Sequence, residues 1–466
     1  MPSDVDSFLT THRDQLIGQY LDFLRVPGVA VTGGPDIRRM AELAAAKCAE
    51  AGLEVAVHET PGHPVVYAHG GPPDAPFTLL TYGHYDVFPV DDQPGWRSDP
   101  FEPLVRGDRV YARGAGDNKG QFLAYLNAVQ WWQRAAGGLP VRVKVLLEGE
   151  EEYGSRHLPW FVERHRAELA ADLCVYSDGP MLPGDRPALL FGARGGVALE
   201  FHAAGAAVPL HSGNFGGVVA NPILALARLF AAMVAPNGDL RVPGLERGVP
   251  RLTAAERAAL DGLEFDPDEF RARVGTEALP ARFGESYYER LLCRPSLTVS
   301  GIVGGHTGAG VKSLIPTSAT AKADVRLVGQ QDPDEVVAAI ARFAAAEHPE
   351  VTVRKLFGQP PSRTPIDHPY ADLVERAVAE CVGERPRRVP SLAGTTPDHV
   401  FTRQLGVPAV MVPLAPADQN HHGPNEYMRV SYLLRGVRIV ARLIELLATA
   451  GRDTSPATER GAGVPG

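Results

Sequence analysis

The chain has 466 residues, 44% hydrophobic and 22% charged, an ordinary globular composition whose length suggests two domains rather than one core. A formal net charge of −9 excludes the basic balance of a nucleic-acid-binding protein. The four cysteines, Cys48, Cys174, Cys293 and Cys381, lie far apart and form no CxxC pair, which excludes a disulfide framework and a cysteine-rich zinc site and points to reduced thiols.

The start, MPSDVDSFLTTHRDQ, lacks the basic and apolar segments of a secretory signal, and no run reaches the roughly 18 apolar residues that span a bilayer. A soluble, cytoplasmic protein without membrane contact is therefore expected. Helical spacing of Phe8, Leu9, Leu16, Ile17, Tyr20, Leu21 and Leu24 predicts an amphipathic helix over 5–25, and an alanine-rich helix follows over 37–52. Next come a strand at 77–82, a helix at 120–135, and strands at 141–147 and 173–176. Apolar strands alternating with helices predict an α/β layer with a buried sheet.

Near Phe191 the pattern changes. Strand-like 188–205, a helix at 222–234, strands at 297–303 and 319–327, a helix at 333–347 and a strand at 351–357 predict a small α+β sandwich. Between them, 237–294 is less regular and rich in Pro, Arg and Glu. A helix at 370–382, a strand at 409–412 and a helix at 432–447 return to the α/β type. The expected organisation is thus an inserted domain at 192–357 within an α/β domain made of 1–191 and 358–450, with a disordered tail at 451–466.

Five motifs carry chemistry. Gly83-His84-Tyr85-Asp86 follows the strand at 77–82, and strand carboxyl ends are where ligands gather in open α/β sheets. His84 suits a metal, and Asp86 could orient its ring. Arg113-Gly114-Ala115-Gly116-Asp117-Asn118-Lys119-Gly120 precedes a helix but lacks the Ser or Thr that follows Lys in a phosphate loop. Its glycines would let Asp117 into a crowded site, and a helix-capping aspartate is the plainer alternative. Glu148-Gly149-Glu150-Glu151-Glu152-Tyr153-Gly154 ends a buried-type strand, where acids repel unless a cation neutralises them. Asp178, in Tyr176-Ser177-Asp178-Gly179-Pro180, also follows a strand, and His421-His422-Gly423-Pro424-Asn425-Glu426 precedes the last helix. Singly, each has a structural explanation; together they supply oxygen and imidazole ligands for two zinc ions about 3.5–4 Å apart.

The set GHYDV, GAGDNKG, EGEEEYGS, YSDGP and HHGPNE, in this order over residues 5–450, resembles the co-catalytic zinc peptidase family. That family includes aminoacylase, cytosolic carnosinase, acetylornithine deacetylase and succinyl-diaminopimelate desuccinylase. The resemblance implies a zinc-peptidase α/β catalytic domain with an α+β lid through which homodimers form. It implies His84 and Asp178 as ligands of one zinc, Glu152 and His422 of the other, and Asp117 as the bridge. Glu151 would be the general base, with Asp86 orienting His84. A register of Glu150–Glu151 is the alternative for the acidic pair. In Leu210-His211-Ser212-Gly213, His211 corresponds to a histidine that reaches across a dimer to the developing oxyanion. Arg326, Gly394 and Thr395 resemble substrate-contacting segments of the dipeptidase branch, although Leu392-Ala393 stands where that branch often has Glu-Gly.

The activity implied is hydrolysis of an amide or peptide bond in a small substrate, a dipeptide or short peptide, by zinc-bound water, with Mn2+ or Co2+ as possible substitutes. An N-acyl amino acid amidohydrolase is the alternative, and an inactive relative that only binds is the remote one.

Overall fold

The computed structural model describes residues 5–90, 93–275 and 287–453, apart from the side chains of residues 273 and 451–453. It divides into two compact units, one of residues 1–191, 364–388 and 400–466, the other of residues 192–363 and 389–399.

The first unit is built on an eight-stranded mixed sheet. Its order is Glu54–His58, Val65–Gly70, Arg142–Glu148, Thr78–His84, Leu173–Tyr176, Ala409–Met411, Ala188–Leu190 and Arg387–Val389. Arg142–Glu148, Thr78–His84, Leu173–Tyr176 and Ala409–Met411 run parallel, so their carboxyl ends lie along one edge, and His84 pairs in register with Glu148. The edge pair Glu54–His58 and Val65–Gly70 is antiparallel. These two strands are absent from the sequence expectations because polar Glu54, His58 and His69 interrupt the apolar pattern.

The helix Gly120–Arg134 is buried along nearly its whole length, and it packs against Val430–Asp453. Gly436 permits that approach: a Cβ there would lie 2.9 Å from Ala124 Cβ. The indole of Trp132 donates to the Ala441 carbonyl at 3.2 Å across the same contact. The last helix runs to Asp453, past the expected end at 447, and the expected disordered tail beyond it lies outside the described residues. All four cysteines are free. Among the described residues no helix is long and apolar enough to cross a membrane.

The second unit is an antiparallel four-stranded sheet in the order Ser296–Gly304, Ser318–Leu327, Gly195–Ala204 and Val351–Gln359. Ala319, Ala321, Ala323, Val325 and Leu327 alternate inward and share a core with the helices Pro222–Met233 and Pro333–Glu347. Both helices begin with a capping side chain and proline: Asn221 accepts from the Ile223 amide, and Asp332 from those of Asp334 and Glu335. The irregular stretch 237–294 contains the helices Ala254–Asp261, Pro267–Val274 and Tyr287–Cys293, the first closed by a Thr253–Glu256 capping box.

The division differs from the expected one in two places. The strand expected to end at 357 continues to Gln359, carrying 358–363 into the second unit. Residues 389–399, expected in the α/β domain, also belong there. The Arg194 amide donates to the carbonyls of Leu392 and Gly394, and the Gln359 side chain donates to the Thr396 carbonyl.

Candidate metal centre

The parallel strands of the first unit deliver the acidic and imidazole groups to one sheet edge. His84 ends its strand fully buried. Its Nδ1 faces Asp86, 3.2 Å from the carbonyl and 3.4 Å from Oδ1, and its Nε2 lies 3.1 Å from Asp117 Oδ1. A hydrogen on Nδ1 thus leaves Nε2 as the nitrogen with a free lone pair. The Asp86 carboxylate also accepts from the backbone amides of Glu151 and Glu152, at 3.2 and 3.0 Å, and so holds the acidic turn. Glu150 turns elsewhere: both its oxygens contact Nδ1 of His157, at 3.0 and 2.9 Å. Glu148 accepts from Tyr82 and Ser155 at 2.7 and 2.8 Å.

Asp117 sits in the wide turn Ala115–Lys119, and the peptide bond after it is cis. Its carboxylate does not cap the following helix. Oδ2 lies 3.0 Å from His422 Nε2, and His421 Nε2 reaches the same oxygen at 2.5 Å. His422 continues to Glu152 Oε2 at 2.9 Å, while its ring stacks on Phe88 with centroids 4.2 Å apart. Two glycines of the motif are required by the backbone: a Cβ on Gly120 would lie 2.5 Å from the Ala115 carbonyl, and Gly114 adopts a φ of 81°. His84, Asp117 and Asp178 offer ligand atoms within 4.8 Å of one another, as do Asp117, His421 and His422.

These groups fit a cation. Burial, reinforced by Asp117, raises the carboxyl of Glu152 to about 7 and that of Asp178 above its ordinary range. Burial also raises Glu151 well above the carboxylate range, with Asp178, Glu152 and Asp117 adding to it against the pull of His84. Asp117 runs the other way: burial opposes its ionisation, but His421, His422 and His84 outweigh it and hold the carboxyl well below its usual value. Buried Oε1 of Glu152 has no hydrogen-bond partner. Four carboxylates with one orphaned oxygen and imidazoles between them are a donor set that divalent ions with nitrogen and oxygen preference satisfy.

The remaining candidates lie in the second unit. His211 is exposed, and its Nδ1 accepts from the Gly213 amide at 3.1 Å, which leaves Nε2–H as a donor in the neutral ring. Arg326 Nη1 donates to Thr395 Oγ1 at 2.8 Å, and the neighbouring Gly394 carbonyl is held by the Arg194 amide at 3.1 Å.

The profile of Peptidase family M20/M25/M40 matches residues 80–446. The chain belongs to that family. It is therefore a hydrolase of the metallopeptidase class acting on peptide bonds. The Cys-Gly metallodipeptidase dug1 of Schizosaccharomyces pombe is 26% identical over 468 residues, covering 94% of this chain and 96% of that protein. The Beta-Ala-His dipeptidase of Rattus norvegicus is 27% identical, covering 93% of each. Among solved structures, the M20 family metallo-carboxypeptidase Sso-CP2 from Sulfolobus solfataricus superposes with a TM-score of 0.86 at 30% identity, covering 93% of this chain and 99% of that one. Human carnosine dipeptidase 1 follows at 0.79 and 27%, covering 95% and 98%.

Several residues at the cluster carry no role in the sequence reading. Glu426 lies in the quoted HHGPNE and Arg113 in RGAGDNKG, yet their pairing links positions more than three hundred apart and has no local signal. Lys119 is buried with its ammonium on the carbonyls of Phe23 and Val26, at 3.0 and 2.7 Å, and burial lowers it to about 7. It anchors the Asp117 turn to the end of the first helix and takes no phosphate.

Proposed function

We propose that this chain is a dipeptidase that holds two zinc ions, one by His84 and Asp178, the other by Glu152 and His422, with Asp117 between them. The observation that carries the reading is the continuous run of contacts from His84 through Asp117 to His422 and Glu152. His422 is preferred to His421 because its Nε2 meets Glu152 Oε2 at 2.9 Å as well as Asp117. The pair Glu151–Glu152 is preferred to Glu150–Glu151 because Glu150 is committed to His157.

When bound, the metal pair supplies Lewis acidity and lowers the pKa of water. Glu151 takes a proton from the attacking water and returns it to the leaving amine. Asp86 fixes the His84 ring and the Glu151–Glu152 turn together. His211 Nε2–H is the proposed donor to the developing oxyanion, and Arg326, Gly394 and Thr395 are proposed to engage substrate. A homodimer through the second unit is supported by its edge strand Ser296–Gly304, where Val299, Ile302 and Val303 are exposed.

Leu392-Ala393 stands where the dipeptidase branch often has Glu-Gly, a departure from close dipeptidase specificity that keeps an N-acyl amino acid amidohydrolase as the second reading. Elemental analysis of the purified protein, with hydrolysis of dipeptide and N-acetyl amino acid panels before chelation, after it and on zinc return, tests both. Two zinc ions per chain and reversible dipeptide hydrolysis are expected. Cleavage of N-acetyl amino acids alone would transfer the assignment to the second reading, and no metal-dependent cleavage would end both.

A further inference from the structure

A second histidine–carboxylate group in the first unit shares no residue with the cluster above. His58 ends the outermost strand of the eight-stranded sheet, His165 directly precedes the short helix Arg166–Leu169, and Glu168 lies on it. His165, at the cap of that helix, and Glu168 three residues on lie side by side, with Nδ1 of His165 3.1 Å from Oε1 of Glu168. The rings of His58 and His165 stand 4.6 Å apart at 63°. One ligand atom from each of the three residues lies within 4.8 Å of the others.

The group is held before any ligand arrives. Phe161 stacks on His165 with centroids 4.2 Å apart and meets His58 edge-on at 5.3 Å. The Tyr67 hydroxyl donates to the Glu168 carbonyl at 2.9 Å, fixing the helix to the sheet. Lys144, within electrostatic reach of Glu168, spends its ammonium on the Ala170 carbonyl at 2.6 Å. Nε2 of His58 is buried without a hydrogen-bond partner, although polar atoms so placed nearly always have one. Burial, and then the neighbouring His165 ring, keep His58 below the ordinary histidine range, so that its ring is neutral at pH 7, the form that ligates.

Two imidazoles and one carboxylate are a donor set for zinc-class ions, with a fourth position left for water, whereas Ca2+ and Mg2+ favour oxygen ligands. We propose that His58, His165 and Glu168 form a third, separate site for a zinc-class divalent transition-metal ion, clasping the edge strand to the helix Arg166–Leu169.

The test is zinc uptake by the full chain after chelation, followed by equilibrium dialysis and elemental analysis, for the wild type and for His58→Phe, His165→Ala and Glu168→Gln. His58→Phe keeps an aromatic ring against Phe161 and controls for packing. The expected result is one zinc equivalent fewer in His58→Phe and His165→Ala, with that equivalent held more weakly in Glu168→Gln. Equal uptake by the wild type and all three variants overturns the proposal. Because the readout is a difference between variants, it stands or falls apart from the occupancy of the His84–Asp117–His422 cluster.

Discussion

The Arg113 guanidinium and the Glu426 carboxylate meet at 2.8 Å with neither side chain exposed. Glu426 also accepts from the amides of Gly114, Gly116 and Asp117 at 3.0–3.2 Å, while Arg113 donates to the His422 carbonyl at 3.1 Å. One ion pair therefore braces both the turn that carries Asp117 and the loop that carries His422. Glu426→Gln keeps the shape and removes the charge. Leaving Arg113 buried and unpaired costs about 3–5 kcal/mol. Urea unfolding of the metal-free protein should show that loss, together with weaker zinc retention on dialysis. An unchanged midpoint would mean that water reaches Arg113.

Asp86 makes two sets of contacts that look separate in the sequence, to the His84 ring and to the amides of the Glu151–Glu152 turn. Asp86→Ala leaves two amides without their acceptor and the His84 ring with only the backbone carbonyl of residue 86 as partner, and loss of such an outer partner lowers metal affinity by about 10–100-fold. A competition titration against a chromophoric chelator reads this directly. Asp86→Asn, which keeps one acceptor oxygen, should fall between the two. Affinity unchanged in both variants would remove Asp86 from the site.

Glu151 is the group whose loss should separate chemistry from metal binding. Glu151→Gln preserves size and most polarity, so zinc content should stay at the wild-type level. Turnover should fall by about 10²–10⁴-fold, the usual contribution of general acid–base catalysis. Zinc analysis alongside kcat checks both halves. Wild-type turnover, or lost metal, would reassign Glu151.

The parts of this molecule legible in its sequence share a physical cause. His84, Asp117, Glu152 and Asp178 stand out in the sequence because each follows an apolar strand or a glycine-rich turn, and their side chains lie close together or are linked through His422 in the fold. The parallel strands were readable because burial on both faces makes them continuous apolar runs. Pairings across long separations were not. Nothing near Glu426 announces Arg113, and nothing in the half-exposed strand Glu54–His58 announces that His58 meets His165. The segment 389–399 was misplaced for the same reason, since its tie to Ala193 and Arg194 runs through backbone groups that every residue has.

Lys47 gives a test of burial away from the metal centre. It is 3% exposed, with its ammonium on Gln19 and Gln130 at 2.7 and 2.8 Å and on Glu50 at 3.6 Å. Burial pushes it down to about 8, against a smaller upward pull from Glu50. In the unfolded chain it returns to about 10.4. Between those values the unfolded state binds the extra proton, so stability rises with pH through this window, and the cost of the buried charge is greatest below about 8. From pH 7.5 to 9.5 this group should add about 2 kcal/mol of stability. Lys47→Met removes the dependence. Unfolding midpoints of wild type and variant should therefore converge as pH rises if the variant is the more stable at pH 7.5, and their difference should change by that amount whichever is more stable. A difference flat across the window would show that Lys47 keeps its charge in the fold, held by Glu50 and the two glutamines.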